Sequence, residues 1–275
     1  MLGKLMKLEL RSTFRQYAAL YAAALLLTGL VVGGVLLKSE LIAFLALIFY
    51  SIMSIVMLTV TVVFIIQRYA KNLFGVEGHF MHTLPTTPGK LLASKTLVSL
   101  LWLIVPYFMI FGSYGLLFWA GKTLLGDFMV HFNEGFRSVI DVNFPLLESF
   151  SVYLPYWVAS MLLAITVSIM MFFFSVTAAN TLARRRRVLT GVLIFLGLNG
   201  VYSGLCVGIY TFSPLTFRAY GHSIVFDGAP MGLLQPITEK GLPISPLVDL
   251  LAVVFFVVLT AATLRLLKNR LSQRG

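Results

Sequence analysis

Charge is scarce in this chain of 275 residues: Asp, Glu, Lys and Arg together make up 11% of it, the acids number 10, and cysteine occurs once. Soluble domains carry about 25% charged and about 45–50% apolar residues, whereas 59% of this chain is apolar. That deficit excludes a soluble enzyme and a nucleic-acid binder, even though Lys and Arg outnumber the acids by 21 to 10. Cys206 lies inside an apolar run, so neither an internal disulfide nor a cage of thiolates around a metal can form. Ionisable side chains are also missing from the centre of every long apolar run. Ion-coupled carriers place such groups near the midplane, and an intramembrane metalloprotease needs His and Glu there, so both classes are disfavoured.

What is present are six apolar runs, 17–37, 41–66, 96–120, 152–179, 188–212 and 247–267. Each reaches the roughly 20 helical residues that a hydrocarbon core of about 30 Å requires. None alternates with the period of two expected of a membrane barrel strand. The first exceeds the apolar region of a signal peptide and lacks a small-x-small cleavage site, so it is expected to remain as an anchor. These features define an all-α integral membrane protein, a single transmembrane domain over 1–275 with six spans. Charge position sets its orientation. Sixteen of the 21 basic residues and two of the ten acids fall at the N-terminus, in 67–95, in 180–187 and in the C-terminal tail. The positive-inside bias then makes both termini cytoplasmic and puts 121–151 and 213–246 outside.

Within the first sixteen residues, Lys4, Lys7, Arg11 and Arg15 recur at helical spacing, with Leu2, Leu5, Met6 and Leu10 largely opposite them. An amphipathic helix over 1–16 is expected to lie along the membrane surface, its basic stripe meeting anionic lipid headgroups. Glu9 interrupts the apolar face and reads as noise rather than as a contact to a cytoplasmic partner. Arg184, Arg185, Arg186 and Arg187 read as a second basic anchor at the membrane surface.

The 67–95 loop holds a short helix from Asn72 to Thr83, stopped by Leu84-Pro85 and followed by Thr87-Pro88 as N-cap and first residue of the next helix. Its apolar side chains, Leu73, Phe74, Phe80, Met81 and Leu84, would face water unless something covers them. His79 and His82 share a face but lack a third ligand, so no metal site is expected. Gly115–Thr123, GLLFWAGKT, has five residues between its glycines where a phosphate loop has four, and it follows an apolar helix. Ser245-Pro246 reads as a helix start, which places Asp249 in a first turn where its charge suits the helix dipole. Outside, Phe128, Phe132, Phe136 and Ile140 mark an interfacial helix. Gly29 with Gly33, and Gly200 with Gly204 and Gly208, repeat every four residues and give smooth faces for packing inside the chain or between two copies.

The basic stretch KLMKLELRSTFR before the first span, the string VEGHFMHTLPTTPGKLLASK between spans two and three, and the six-span order resemble the permease subunits of type-2 ABC transporters, in particular the small bacterial kind. The resemblance covers the whole chain in architecture and about thirty residues at motif level. It implies an N-terminal elbow helix and a coupling helix in 67–95 that docks into a separate ATP-binding subunit through Phe74, Glu77, Gly78, Phe80, Met81, Leu84 and Pro85. It further implies a second permease, identical or homologous, packed around a central pathway, with the first span of one copy against the fifth of the other. ATP and magnesium would sit on the partner, leaving no cofactor and no catalytic site in this chain. Export of a lipid, an amphipathic peptide or a hydrophobic antibiotic across a bacterial plasma membrane is the expected activity. The alternative is a membrane anchor or sensor subunit that docks a cytoplasmic partner without transport. Family members carry a re-entrant outer hairpin before the last span; here 213–246 holds five of the ten prolines and departs from that pattern.

Overall fold

The computed structural model describes residues 2–37, 40–75, 87–124, 144–183, 185–213, 215, 217–220, 223–226 and 242–272. Six long helices dominate: α1 (Leu2–Leu36), α2 (Glu40–Phe74), α3 (Pro88–Leu124), α4 (Phe144–Leu182), α5 (Arg187–Phe212) and α6 (Pro246–Ser272). All six are long and apolar enough to cross a membrane. The chain divides into two compact units, residues 1–136 and 137–275, with three of these helices in each.

In the first unit α1 packs along both α2 and α3. Its buried stripe is Glu9, Thr13, Tyr17, Tyr21, Ala24, Thr28 and Val31, spaced by three and four as one helical face requires. The facing stripe of α2 contains Tyr50, Ser54, Met57, Thr61 and Ile65. Many leucines and isoleucines lie outward instead, as at Leu25, Leu26, Leu30, Ile52 and Ile55. This arrangement suits a bilayer, where lipid tails solvate leucine as well as a protein core does. Helices associate through close packing and hydrogen bonds instead. Thr28 and Ser113 hydroxyls meet at 3.1 Å between α1 and α3. Other buried hydroxyls, including Ser54 and Thr61, donate to carbonyls one turn back in their own helix. At the centre Tyr17 stacks on Trp102 at 4.2 Å between centroids, and the Tyr21 hydroxyl donates to the Trp102 carbonyl at 3.0 Å.

In the second unit α4 is the hub, packing against α5, α6 and a small sheet. Strands β1 (Phe217–Tyr220), β2 (Ser223–Phe226) and β3 (Leu242–Ile244) pair antiparallel in the order β2-β1-β3. Pro243, which cannot donate to a ladder, sits in β3 at the edge of this sheet. The all-α expectation therefore holds for the membrane-spanning helices, and the segment between α5 and α6 adds strands. Helix α5 touches its unit through contacts such as Phe172 with Phe195, stacked at 4.3 Å, yet has no buried residue among those described.

Two boundaries differ from the sequence reading. No break separates an interfacial helix at 1–16 from the first span: α1 runs unbroken from Leu2 to Leu36. Likewise α2 continues through Phe74, and Asn72 and Leu73 are buried within the first unit instead of opening a separate helix. In both cases the helix extends because the residues beyond the apolar run still pack on neighbouring helices.

Candidate functional site

One carboxylate joins three helices in the first unit. Glu9 belongs to the buried face of α1 and is only 8% exposed. Its Oε1 accepts the Lys95 ammonium of α3 at 2.9 Å, the Arg68 Nε–H of α2 at 3.4 Å and the Asn72 side-chain amide of α2 at 3.5 Å. Lys95 is 3% exposed, which places a full ammonium charge inside the bundle. Arg68 remains partly open and also donates to the Ser12 hydroxyl. One turn further along α1, Thr13 donates to the Glu9 carbonyl at 2.8 Å and accepts the Trp102 indole N–H at 3.0 Å. The ionic cluster thus runs directly into the Tyr17–Trp102 aromatic stack.

Each charge needs the others. An ion in a medium of low polarity loses several kcal/mol of solvation even after relaxation, and only a partner at hydrogen-bond distance offsets that loss. Glu9 is therefore not noise on an amphipathic face: its carboxylate is the partner of Lys95 and of the inward side of Arg68. The arrangement can perform no bond chemistry evident in its geometry. It fastens the end of α2 and the start of α3, the two roots of the connection 76–86, to each other and to α1.

The other expected site residues fall into three groups. Phe74 ends α2, half-buried, with its ring edge-on to Tyr69 at 6.4 Å. Glu77, Gly78, Phe80, Met81, Leu84 and Pro85 lie outside the described residues, as do His79, His82, Arg184 and the run 128–140. Leu73 is buried by its own unit and offers nothing to a partner. Gly75 follows the last residue of α2, at a point where a Cβ would meet the Lys71 carbonyl oxygen at 2.5 Å. The expected start of α3 at Pro88 is found, with Thr87 supplying the first carbonyl acceptor to Lys90 and Leu91.

The basic residues Lys7, Arg11, Arg15, Arg185, Arg186 and Arg187 are exposed, and Lys4 lies in the first turns of α1. At Gly29, Gly33, Gly200, Gly204 and Gly208, an added Cβ would meet nothing within 4 Å, so none of these glycines serves close packing among the described residues. The GLLFWAGKT string is helical throughout, within α3. No group of three or more His, Cys, Asp or Glu suited to a metal occurs among the described residues. Asp249 does occupy the first turn of α6, but sequence reasoning missed its partners: Tyr156 and Ser160 of α4 each donate to it at 2.7 Å.

No model of a known protein family, no curated protein and no solved structure matches the chain.

Proposed function

We infer that the chain is the membrane-spanning permease subunit of an ATP-driven transporter of the type-2 ABC kind. It works as an exporter of a hydrophobic or amphipathic substrate in a bacterial plasma membrane, alongside a second permease and a cytoplasmic ATP-binding subunit. The observation that carries this reading is the Glu9 cluster. A connection whose two roots are tied together passes a displacement on to the helices instead of absorbing it, as a coupling loop must. The residues between those roots, among them Glu77, Gly78, Phe80, Met81, Leu84 and Pro85, carry the motif resemblance. ATP-driven closure of the partner would press on this connection and move α1, α2 and α3 as one body. The open glycine faces of α1 and α5 support packing against a second copy, because small residues let backbones approach closely in a membrane.

Affinity purification of the tagged chain from its native membranes tests this reading. An ATP-binding subunit should accompany it with measurable ATP hydrolysis, and Phe80→Asp should release that subunit at unchanged expression. A preparation free of any ATPase would leave the chain as an anchor or sensor subunit, and a Phe80→Asp variant that keeps the ATP-binding subunit would make 67–95 a mere connection.

The charge bias further puts both termini and the 67–95 connection on the cytoplasmic side. In a Cys206→Ser background, a cysteine at Ser138 should react with an impermeant maleimide in intact cells, and one at Thr86 only after lysis. The opposite pattern overturns the orientation.

A further inference from the structure

Asn199 lies at the middle of α5, a helix of 26 residues from Arg187 to Phe212, and its side chain is exposed. Polar groups on the other spanning helices are satisfied within their own backbone. The exposed Thr59 and Ser168 hydroxyls each donate to a carbonyl one turn back, and the Asn180 amide does the same to Val176 at 2.8 Å. The Asn199 carboxamide takes no such route. Its Oδ1 accepts the Ser203 hydroxyl at 3.4 Å, and its amide nitrogen donates to nothing among the described residues. Lipid tails offer no acceptor, so an amide donor left open at the centre of a span is strongly unfavourable until another polar group covers it.

The surroundings are open enough for a second helix. Leu196, Asn199 and Ser203 stay exposed along one face of α5, which has no buried residue among those described. Gly200 and Gly204 adjoin that face, and a Cβ on either would meet nothing within 4 Å. The chemistry of the amide selects the occupant. A carboxamide carries two donors and an acceptor, so its full match is another carboxamide. The outward side chains through the middle of α1, Ala22, Ala23, Leu25, Leu26 and Leu30, are apolar and supply neither. Thr59 and Ser168 have committed their hydroxyl protons to their own helices and can only accept.

We propose that α5 pairs with α5 of a second copy of this chain, the two Asn199 carboxamides exchanging hydrogen bonds at the centre of the contact. Copies inserted with the same orientation are related by a two-fold axis along the membrane normal, so a residue beside that axis meets its own counterpart at the same depth. Gly200 and Gly204 let the backbones come close enough for so short a side chain to reach across. The contact rests on the permease reading for its need of a second permease, and it makes that permease a copy of this chain. It departs from the pairing of first span with fifth that the resemblance implies.

Single cysteines in the full-length Cys206→Ser chain, oxidised in native membranes, test the contact. Leu196→Cys and Ser203→Cys chains should form disulfide-linked dimers at least tenfold more than Val201→Cys chains. Val201 and Leu196 are both 58% exposed, but Val201 lies on the opposite side of the helix, so accessibility alone predicts no difference. In proteoliposomes, energy transfer between labelled chains should show Asn199→Leu to weaken the dimer about five- to tenfold, the size expected for a pair of hydrogen bonds between membrane helices. Expression should be unchanged, since leucine suits hydrocarbon, and Asn199→Gln should keep the dimer. Equal crosslinking at all three positions, an absence of crosslinked dimers, or a dimer indifferent to Asn199→Leu overturns the proposal. So does crosslinking of Leu196→Cys chains to co-expressed Leu26→Cys chains but not to each other, which would put α1 at this face. None of these readouts involves the ATP-binding subunit, so the dimer contact and the coupling assignment fail separately.

Discussion

Replacing Glu9 with leucine should destabilise the first unit by about 3–5 kcal/mol, the usual cost of stripping one partner from a buried ion pair. The cause is Lys95, 3% exposed, whose ammonium would lose the carboxylate that it meets at 2.9 Å. Lys95→Met should cost less, because Glu9 keeps Arg68 and Asn72 as donors and Arg68 already reaches the surface. Removing both charges, Glu9→Leu with Lys95→Met, should restore much of the loss, since apolar replacement of a whole buried pair is often neutral. The double-mutant cycle should thus return a coupling well above the 0.3–0.5 kcal/mol or so seen between independent sites. Reversible unfolding in nanodiscs would measure it. Additive single effects would mean that the 2.9 Å contact carries no energy.

Trp102→Ala should produce the second large loss, about 3–5 kcal/mol for emptying an aromatic site in a packed interior. Tyr17 would lose the ring it stacks on at 4.2 Å, and Thr13 the indole donor that ties it to α3. Trp102→Phe separates these contributions. It keeps most of the stack and deletes the N–H, so it should cost only about 0.6 kcal/mol, the average for a hydrogen bond between membrane helices. If both variants unfolded alike, the indole hydrogen bond, and not the stack, would be the main contact.

The six spanning helices were legible because hydropathy sums over a whole run and needs no knowledge of partners. The helix starts at Pro88 and Pro246 were legible as well, since capping chemistry is local. What escaped was the inner face. Glu9 meets Arg68 and Lys95 across 59 and 86 residues of sequence, and no local pattern encodes such pairings. A clue was present: Glu9 continues the stripe Thr13, Tyr17, Tyr21, Ala24, Thr28, in which polar and aromatic residues recur while leucines take the other faces. Reading that face as apolar assigned the buried side to the leucines, which is the logic of a water-soluble helix. Asp249 failed for a similar reason. Its place in the first turn was clear, but its two hydroxyl donors come from α4, 93 and 89 residues away. The strands at 217–226 are four residues each, too short for alternation to stand out.

The lengths of α1, α2 and α3, 35, 35 and 37 residues, bear on how this molecule would look under the electron microscope. Even at the 40° upper end of helix tilts, about 26 residues suffice to cross a core of about 30 Å. Around nine or more residues of each rod must then stand clear of the hydrocarbon, roughly 13 Å or more at 1.5 Å per residue. In a detergent micelle those turns should lie at the level of the headgroups or beyond, so the rod-like density of α1, α2 and α3 should extend past the hydrocarbon layer at one or both ends.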